Sequence, residues 1–436
     1  MDSDHEVKLR LRRKATCPHC WSEFTPQSVL WVATHPDLTG DAVLGDHEPL
    51  RFTPTRFNAK AVALDARGTE CHELACPRCH LVVPRATLQM APLIVSIAGT
   101  PSSGKSYFLA ALAWSMRRKL PELFRLTFAE ADPQANAILN SYEQQQFLNP
   151  NRNAIVRLAK TEEQGDLYST VQLDGSVVQL PRPFLFAVRP GEGHPSRKRA
   201  TKLERLLCLY DNAGESFLPG KDTAANRSTG HLTDSHAVVA VYDPTQDVRF
   251  REAYQKAGRR AAAADDVASR QETVLHEIAT RLERRQGLGK TQNRPLIVAL
   301  TKYDQWWPLL GAERLPEPWT LAGDTGAHAL HLGKVEHVSD AVRDVLKRIS
   351  PEFVAAADDL SDQVWYVPIS ATGCSPERDK DSGRLGFRPC RVDPMWEAVP
   401  LLTILALTTG GLVPTVNRPL RLAKPESDAD EQEGAA

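Results

Sequence analysis

The sequence predicts an α/β protein, a mostly parallel sheet flanked by helices, with a small cysteine-rich β domain ahead of it. Three observations predict this. Apolar runs of strand length recur at Leu93 to Ala98, Leu206 to Tyr210, Ser235 to Asp243, Pro295 to Leu300 and Val364 to Ile369, with helical patterns between them, which is how successive βα units read. The first run meets a loop bounded by glycines, followed by a helical pattern from Lys105 to Lys119. Five of the eight cysteines (Cys17, Cys20, Cys71, Cys76 and Cys79) fall in the first eighty residues.

A chain of 436 residues exceeds the roughly 250 to 300 at which a single core stops growing. Two folded units are therefore expected: residues 15–90 for the cysteine-rich domain and 91–415 for the α/β domain. Residues 1–14 read as an extension. Residues 416–436 end in the acidic AKPESDADEQEGAA, too poor in apolar residues to fold. The net charge of −1 provides no global field to recruit nucleic acid or an acidic membrane, so nucleic acid is not an expected partner. The N-terminus lacks the apolar core of a secretory signal. The longest apolar stretch, Val399 to Val413, is broken by Pro400 and two glycines, short of the roughly 20 residues that span a bilayer. A cytoplasmic protein without a membrane span is expected.

Along the chain, the first chemistry is in the cysteines. Cys17-Pro-His-Cys20 and Cys76-Pro-Arg-Cys79 are matching C-P-x-C knuckles. Each tight turn puts two sulfurs on one side, and two such turns supply the four tetrahedral ligands of a structural Zn²⁺. This is a zinc-ribbon pattern, with about 55 residues between the pairs where about 15 to 20 is usual. The intervening SVLWVATHP, DAVLG, LRFTPTRF and KAVALD read as short strands of a β insertion. A redox C-x-x-C would not need a second copy. His19, His72, His80 and Cys71 could substitute as ligands, but each reads better as an ordinary neighbour.

Next comes Gly99-Thr100-Pro101-Ser102-Ser103-Gly104-Lys105-Ser106, which matches G-x-x-x-x-G-K-[ST] between strand and helix. Backbone amides and a helix N-terminus there wrap a β-phosphate, Lys105 reaches the β and γ oxygens, and the Ser106 hydroxyl ligates Mg²⁺. The strand Leu206 to Tyr210 delivers Asp211 and then Gly214. Asp211 suits Mg²⁺ held through a water, and the Gly214 amide suits a γ-phosphate. The strand before Thr301-Lys302-Tyr303-Asp304 offers a carboxylate that accepts from both N1–H and the N2 amine of guanine, donors that adenine lacks. Ser370-Ala371 ends the last strand, where backbone N–H groups suit the guanine O6. All four elements lie at carboxyl ends of predicted strands, where an open α/β sheet binds its ligand.

On these motifs the chain resembles the P-loop GTPases of the translation-factor and Ras-like class over about residues 91 to 415. With its C-P-x-C pairs, Tyr210-Asp211-Asn-Ala-Gly214-Glu215 and Tyr242-Asp243-Pro244, it also resembles bacterial double-GTPase-type proteins of multi-gene conflict systems. The resemblance implies a P-loop NTPase fold, GTP/GDP and Mg²⁺ as ligands, switch-like hydrolysis, and protein partners. Two departures stand out. The span from Lys105 to Asp211 exceeds that of a minimal GTPase, so 120–202 must hold added structure, and the Mg²⁺-binding threonine of the first switch is open between Thr161 and Thr170. Glu215 stands where Ras-like proteins orient the attacking water with glutamine. A carboxylate beside the γ-phosphate is repelled, so slow turnover is expected. Arg152, Arg157 and Arg197 to Arg199 are arginine-finger candidates in cis, though each reads better as a solvated surface charge.

The remaining pattern places Pro183 to Val188 (PFLFAV) at the antiparallel edge of the sheet, beside the Leu206 strand. Phe250 to Gln286 reads as one long helix with a solvated charged face, and Asp393 to Thr408 as a closing helix. Trp306, Trp307, Pro308 and the Leu309 to Gly333 loop read as an insertion that could cover the base or bind a partner, with core packing the better reading. Competing readings are an ATP-using P-loop enzyme, against which T-K-x-D argues, and a zinc-ribbon scaffold with a structural nucleotide.

Overall fold

The computed structural model describes residues 11–158, 167–211, 230–256, 270–286, 294–323, 326–380 and 383–416. Its main sheet has seven strands: β1 Ala91–Gly99, β2 Leu126–Glu130, β3 Phe184–Pro190, β4 Arg205–Asp211, β5 Ala237–Tyr242, β6 Leu296–Leu300 and β7 Val364–Pro368. The order is β2-β3-β4-β1-β5-β6-β7. β4, β1, β5, β6 and β7 run parallel, while β3 is antiparallel to both β4 and β2. All five predicted apolar runs are therefore strands, and their uniform apolarity follows from burial on both faces.

The two faces have different covers. Leu93, Val95, Ile97, Phe184, Phe186, Leu207 and Leu209 join the large core with α1 (Lys105–Glu122) and the other helices. The alternate residues Ile94, Leu185, Leu206, Cys208 and Tyr210 form a second buried cluster against Trp21 and Ala86 of the N-terminal module. α2 (Ala137–Phe147) packs on α1; α3 (Val248–Lys256) and α4 (Glu272–Gln286) follow β5, with α5 (Leu332–Ile349) on β7, α6 (Pro351–Leu360) on α4, and α7 (Val399–Thr408) beside β6. Among the described residues no helix is long and apolar enough to cross a membrane.

The N-terminal module is built from short strands, as the β insertion predicts. Leu30–Val32, Arg51–Phe52, Leu74–Ala75 and Val82–Val83 form one small sheet, and Thr39–Asp41 pairs with Gly45–Pro49. Its buried cluster is completed from far along the chain. A hairpin, Tyr168–Leu173 with Ser176–Pro181, contributes Val171, Leu173, Val178 and Leu180 to the cluster that holds Cys17, Cys76 and Cys79. The Gln172 amide donates to the Val43 carbonyl at 2.9 Å.

Three sequence expectations are corrected. PFLFAV is not an edge: β2 lies outside it, and LTFAE alternates buried and more exposed positions as such a strand should. The segment 250–286 contains two helices rather than one in its described parts, and their charges are not all solvated. The Arg281 side chain is 2% exposed and pairs with Glu277 at 2.9 Å. The closing helix begins at Val399, not Asp393, because the backbone of 393–395 is spent on pairing with 370–372.

Candidate functional site

Cys17, Cys20, Cys76 and Cys79 converge with all four sulfurs within 4.8 Å of one another. The Cys17–Cys79 and Cys20–Cys76 separations are 3.7 and 3.8 Å, and a tetrahedron with the usual 2.3 Å zinc–sulfur bond has edges of about 3.8 Å. The two knuckles repeat each other. His19 N donates to Cys17 Sγ and Arg78 N to Cys76 Sγ, both at 3.4 Å. Trp21 and His80, one residue past each second cysteine, both take φ 58°. Burial pushes the Cys17 thiol up, while hydrogen bonds from Cys17, Cys76 and Cys79 pull Cys20 far down. Four thiolates in so buried a cluster would call for a cation.

The substitute ligands are engaged elsewhere. His19 Nε2 meets the Val82 carbonyl at 3.0 Å, and His80 Nδ1 meets the buried Asp41 carboxylate at 2.8 Å. The Cys71 thiol points to the Thr69 carbonyl, and His72 lies 3.8 Å from Glu70.

At the carboxyl edge of the main sheet, β1 runs into the glycine-bounded loop. Gly99 has no room for a side chain: a Cβ would sit 2.9 Å from both Ser103 Oγ and the Val241 carbonyl. Ser102 and Gly104 turn with φ 61° and 90°, and α1 starts at Lys105. Ser103 Oγ is buried without a hydrogen-bond partner among the described residues. Across β4, Asp211 lies in register with Ile97, and Lys105 Nζ stands 2.8 Å from its carboxylate, with 8% and 1% of the two side chains exposed. The contact is an ion pair without an aligned hydrogen bond.

β6 and β7 bring the other predicted residues to the same edge. The Thr301 hydroxyl donates to the Ser103 carbonyl at 2.9 Å, tying T-K-x-D to the loop. Lys302 takes φ 58°. Asp304 accepts from the Ser370 hydroxyl at 2.5 Å through one oxygen, while the other is buried with no partner among the described residues. Burial holds this carboxyl above the usual carboxylate range, against the pull of Ser370. Ser370 is fully buried and Ala371 half-buried; Gly373 N donates to Ser370 Oγ at 2.8 Å.

Residues that sequence reasoning missed sit after β5. Gln246 accepts from the Thr100 hydroxyl and donates to the Pro101 carbonyl, both at 3.1 Å, clamping the loop. Fully buried Asp243 pairs with Lys302 Nζ at 2.6 Å, and Thr245 accepts from the same ammonium at 3.0 Å. Asp-Pro-Thr shows a local cap in the sequence, but nothing local names these partners.

Other predicted residues are placed elsewhere or not described. Gly214, Glu215 and Thr161 lie outside the described residues. Thr170 is exposed, pairs with Gln179, and sits on the hairpin against the N-terminal module. Arg152 and Arg157 are exposed; Leu158, next to Arg157, donates its N–H to the Tyr107 hydroxyl just past Ser106. Arg197 donates to the Pro190 carbonyl at 2.6 Å. Trp306 is buried, its Nε1 donating to the Thr301 carbonyl at 2.8 Å, which makes it core packing as expected.

No family model matches the chain, and no curated protein matches it. Among solved structures, the chain is similar to the GTPase-like domain of Ski7 from S. cerevisiae bound to GTP, at 14% identity over 65% of this chain and 43% of that one, with a TM-score of 0.23. The same domain bound to GDP and inorganic phosphate is 13% identical over 65% and 44%, also with a TM-score of 0.23. The match spans less than half of either neighbour's chain, and a likeness this loose assigns neither a ligand nor an activity.

Proposed function

We propose that this chain binds GTP with Mg²⁺ and hydrolyses it slowly, as a switch acting through protein partners. A structural Zn²⁺ on Cys17, Cys20, Cys76 and Cys79 would hold the N-terminal module. In this reading the fold is that of a P-loop GTPase behind a zinc ribbon. The loop Gly99 to Gly104 and the N-terminus of α1 take the phosphates. Ser106 and Asp211 would hold Mg²⁺, which neutralises phosphate charge when bound. Lys105 leaves Asp211 for the phosphate oxygens, exchanging one buried charge partner for another.

The observation that carries the reading is the pairing of Thr301 with the Ser103 carbonyl beside Asp304, whose second oxygen is buried and unpartnered among the described residues. It seats a base acceptor and a phosphate cradle on one sheet edge. Such an oxygen calls for donors, and on the N1–C2 edge guanine presents N1–H and the N2 amine where adenine presents no N–H donor.

Calorimetry on the full chain tests it. GTP and GDP are expected to bind in preference to ATP, and Lys105→Ala to abolish single-turnover hydrolysis. Asp304→Asn should weaken GTP on the order of a hundredfold and gain xanthosine triphosphate, whose C2 carbonyl accepts from the new amide. Preference for ATP in the wild type would overturn the reading.

A further inference from the structure

Trp21 belongs to the first cysteine knuckle, yet its side chain reaches the main sheet. Its indole Nε1 donates to the Tyr210 hydroxyl at 3.0 Å, and that hydroxyl donates to the carbonyl of Pro18, inside the knuckle between Cys17 and Cys20. Tyr210 is fully buried, and the next residue on β4 is Asp211. The Tyr210 ring stacks on His231 at 4.4 Å with planes 11° apart, and Trp21 tilts against both rings at 6.2 and 6.3 Å. His231 Nδ1 lies 2.6 Å from Ser96 Oγ, on β1 just before the loop. A continuous set of buried contacts thus runs from the sulfur cluster to both strands that deliver the phosphate loop and the acid.

Sealing the face of β4 would need only apolar contact. A tyrosine hydroxyl held between an indole N–H and a knuckle carbonyl instead fixes direction as well as distance. The Pro18 carbonyl belongs to the turn between Cys17 and Cys20, so an ion held by those two cysteines would fix the turn and, through its carbonyl, the position of Tyr210.

We propose that Trp21 and Tyr210 are positioning residues through which metal on the four cysteines sets the placement of Asp211, so that Zn²⁺ and Mg²⁺-GTP binding are linked. The inference rests on the reading of Asp211 as the Mg²⁺-side acid of a guanine-nucleotide site. Linkage is reciprocal: what zinc does to nucleotide affinity, nucleotide must do to zinc retention. Because the contacts reach Tyr210, next to Asp211 on β4, and Ser96 on β1, and not the base seat, the effect falls on the Mg²⁺-dependent part of binding.

The test uses the full-length chain with GTP, Mg²⁺ and Zn²⁺. GTP affinity is titrated with and without Mg²⁺ in zinc-loaded wild type, in wild type stripped by a zinc-selective chelator, and in zinc-loaded Tyr210→Phe and Trp21→Phe. Zinc release to a chromogenic chelator is followed with and without Mg²⁺-GTP. The stripped protein and both variants should lose about fivefold or more in Mg²⁺-dependent affinity, with Mg²⁺-free affinity within about twofold of wild type. Mg²⁺-GTP should slow zinc release in wild type but not in Tyr210→Phe. Wild-type affinity and wild-type slowing in both variants overturn the inference and leave the nucleotide reading standing. Equal weakening with and without Mg²⁺ reduces the contacts to packing and also overturns it. If Tyr210→Phe fails to fold, Trp21→Phe and the release assay on wild type decide. Wild type that binds no GTP removes the nucleotide reading itself, and the linkage with it.

Discussion

On the proposed reading, the ionised form of Asp304 is the one that a bound guanine supports. One oxygen takes the Ser370 hydroxyl and the other has no partner among the described residues, and burial raises the carboxyl above its ordinary range. Only the ionised form accepts from both guanine donors; the protonated form presents an O–H to them. Guanine affinity is therefore present above the raised pKa and lost as pH falls through it. The loss should begin at higher pH than an exposed aspartate would give, as a GTP titration from pH 7.5 downward would show; a flat profile to the ordinary aspartate range, about pH 4, would contradict it. Gln246 makes a different kind of prediction, because it touches the loop and not the base seat. Gln246→Ala removes two hydrogen bonds to Thr100 and Pro101, each worth about 1 kcal/mol. GTP and GDP should both weaken, by up to about thirtyfold, with the preference over ATP unchanged in a competition assay.

Among elements, the most consequential join is between the cysteine knuckles and the hairpin 168–181. Leu180 is fully buried there, in the same cluster as Cys17, Cys76 and Cys79. Leu180→Ala should cost about 2–5 kcal/mol, read as a lower denaturation midpoint together with faster zinc loss, although Leu180 is far from the cysteines in sequence. That join also marks where the sequence stops being readable. The strands and the turns that carry Lys105, Asp211, Thr301, Asp304 and the cysteines were legible, because apolar runs ending in glycine, aspartate or cysteine are local signals. β2 carried only a five-residue alternation, too weak to register. The helical start assigned to Asp393 failed because backbone pairing with 370–372 won over local propensity. Gln246 on Thr100, Gln172 on Val43 and Tyr210 on Pro18 are contacts across long sequence separations, and no periodicity encodes a partner's position.

Over the whole molecule, the N-terminal module covers one face of the sheet as well as carrying the four-cysteine cluster. Ile94, Leu206, Cys208 and Tyr210 face it, and the hairpin leaves its apolar side on it. A chain beginning at Ala91 would expose that surface, so it is expected to aggregate or to run as a large species in size-exclusion chromatography, whereas the full chain elutes as a discrete species. A discrete, nucleotide-binding fragment would show that the face is dispensable. At the opposite end, Gly373 leaves no space for a side chain: a Cβ there would sit 1.9 Å from the Asp393 carbonyl oxygen. Ser370 and Met395 exchange both backbone hydrogen bonds, at 2.9 and 2.8 Å. Translation runs from the amino end, so the loop at Gly99 leaves the ribosome long before the strip that braces Ser370 from behind. The loop cannot be clamped until Gln246 and Thr301 have followed it, and Ser370, beside Asp304, has to wait longer still, until Met395 has been synthesised and has paired with it.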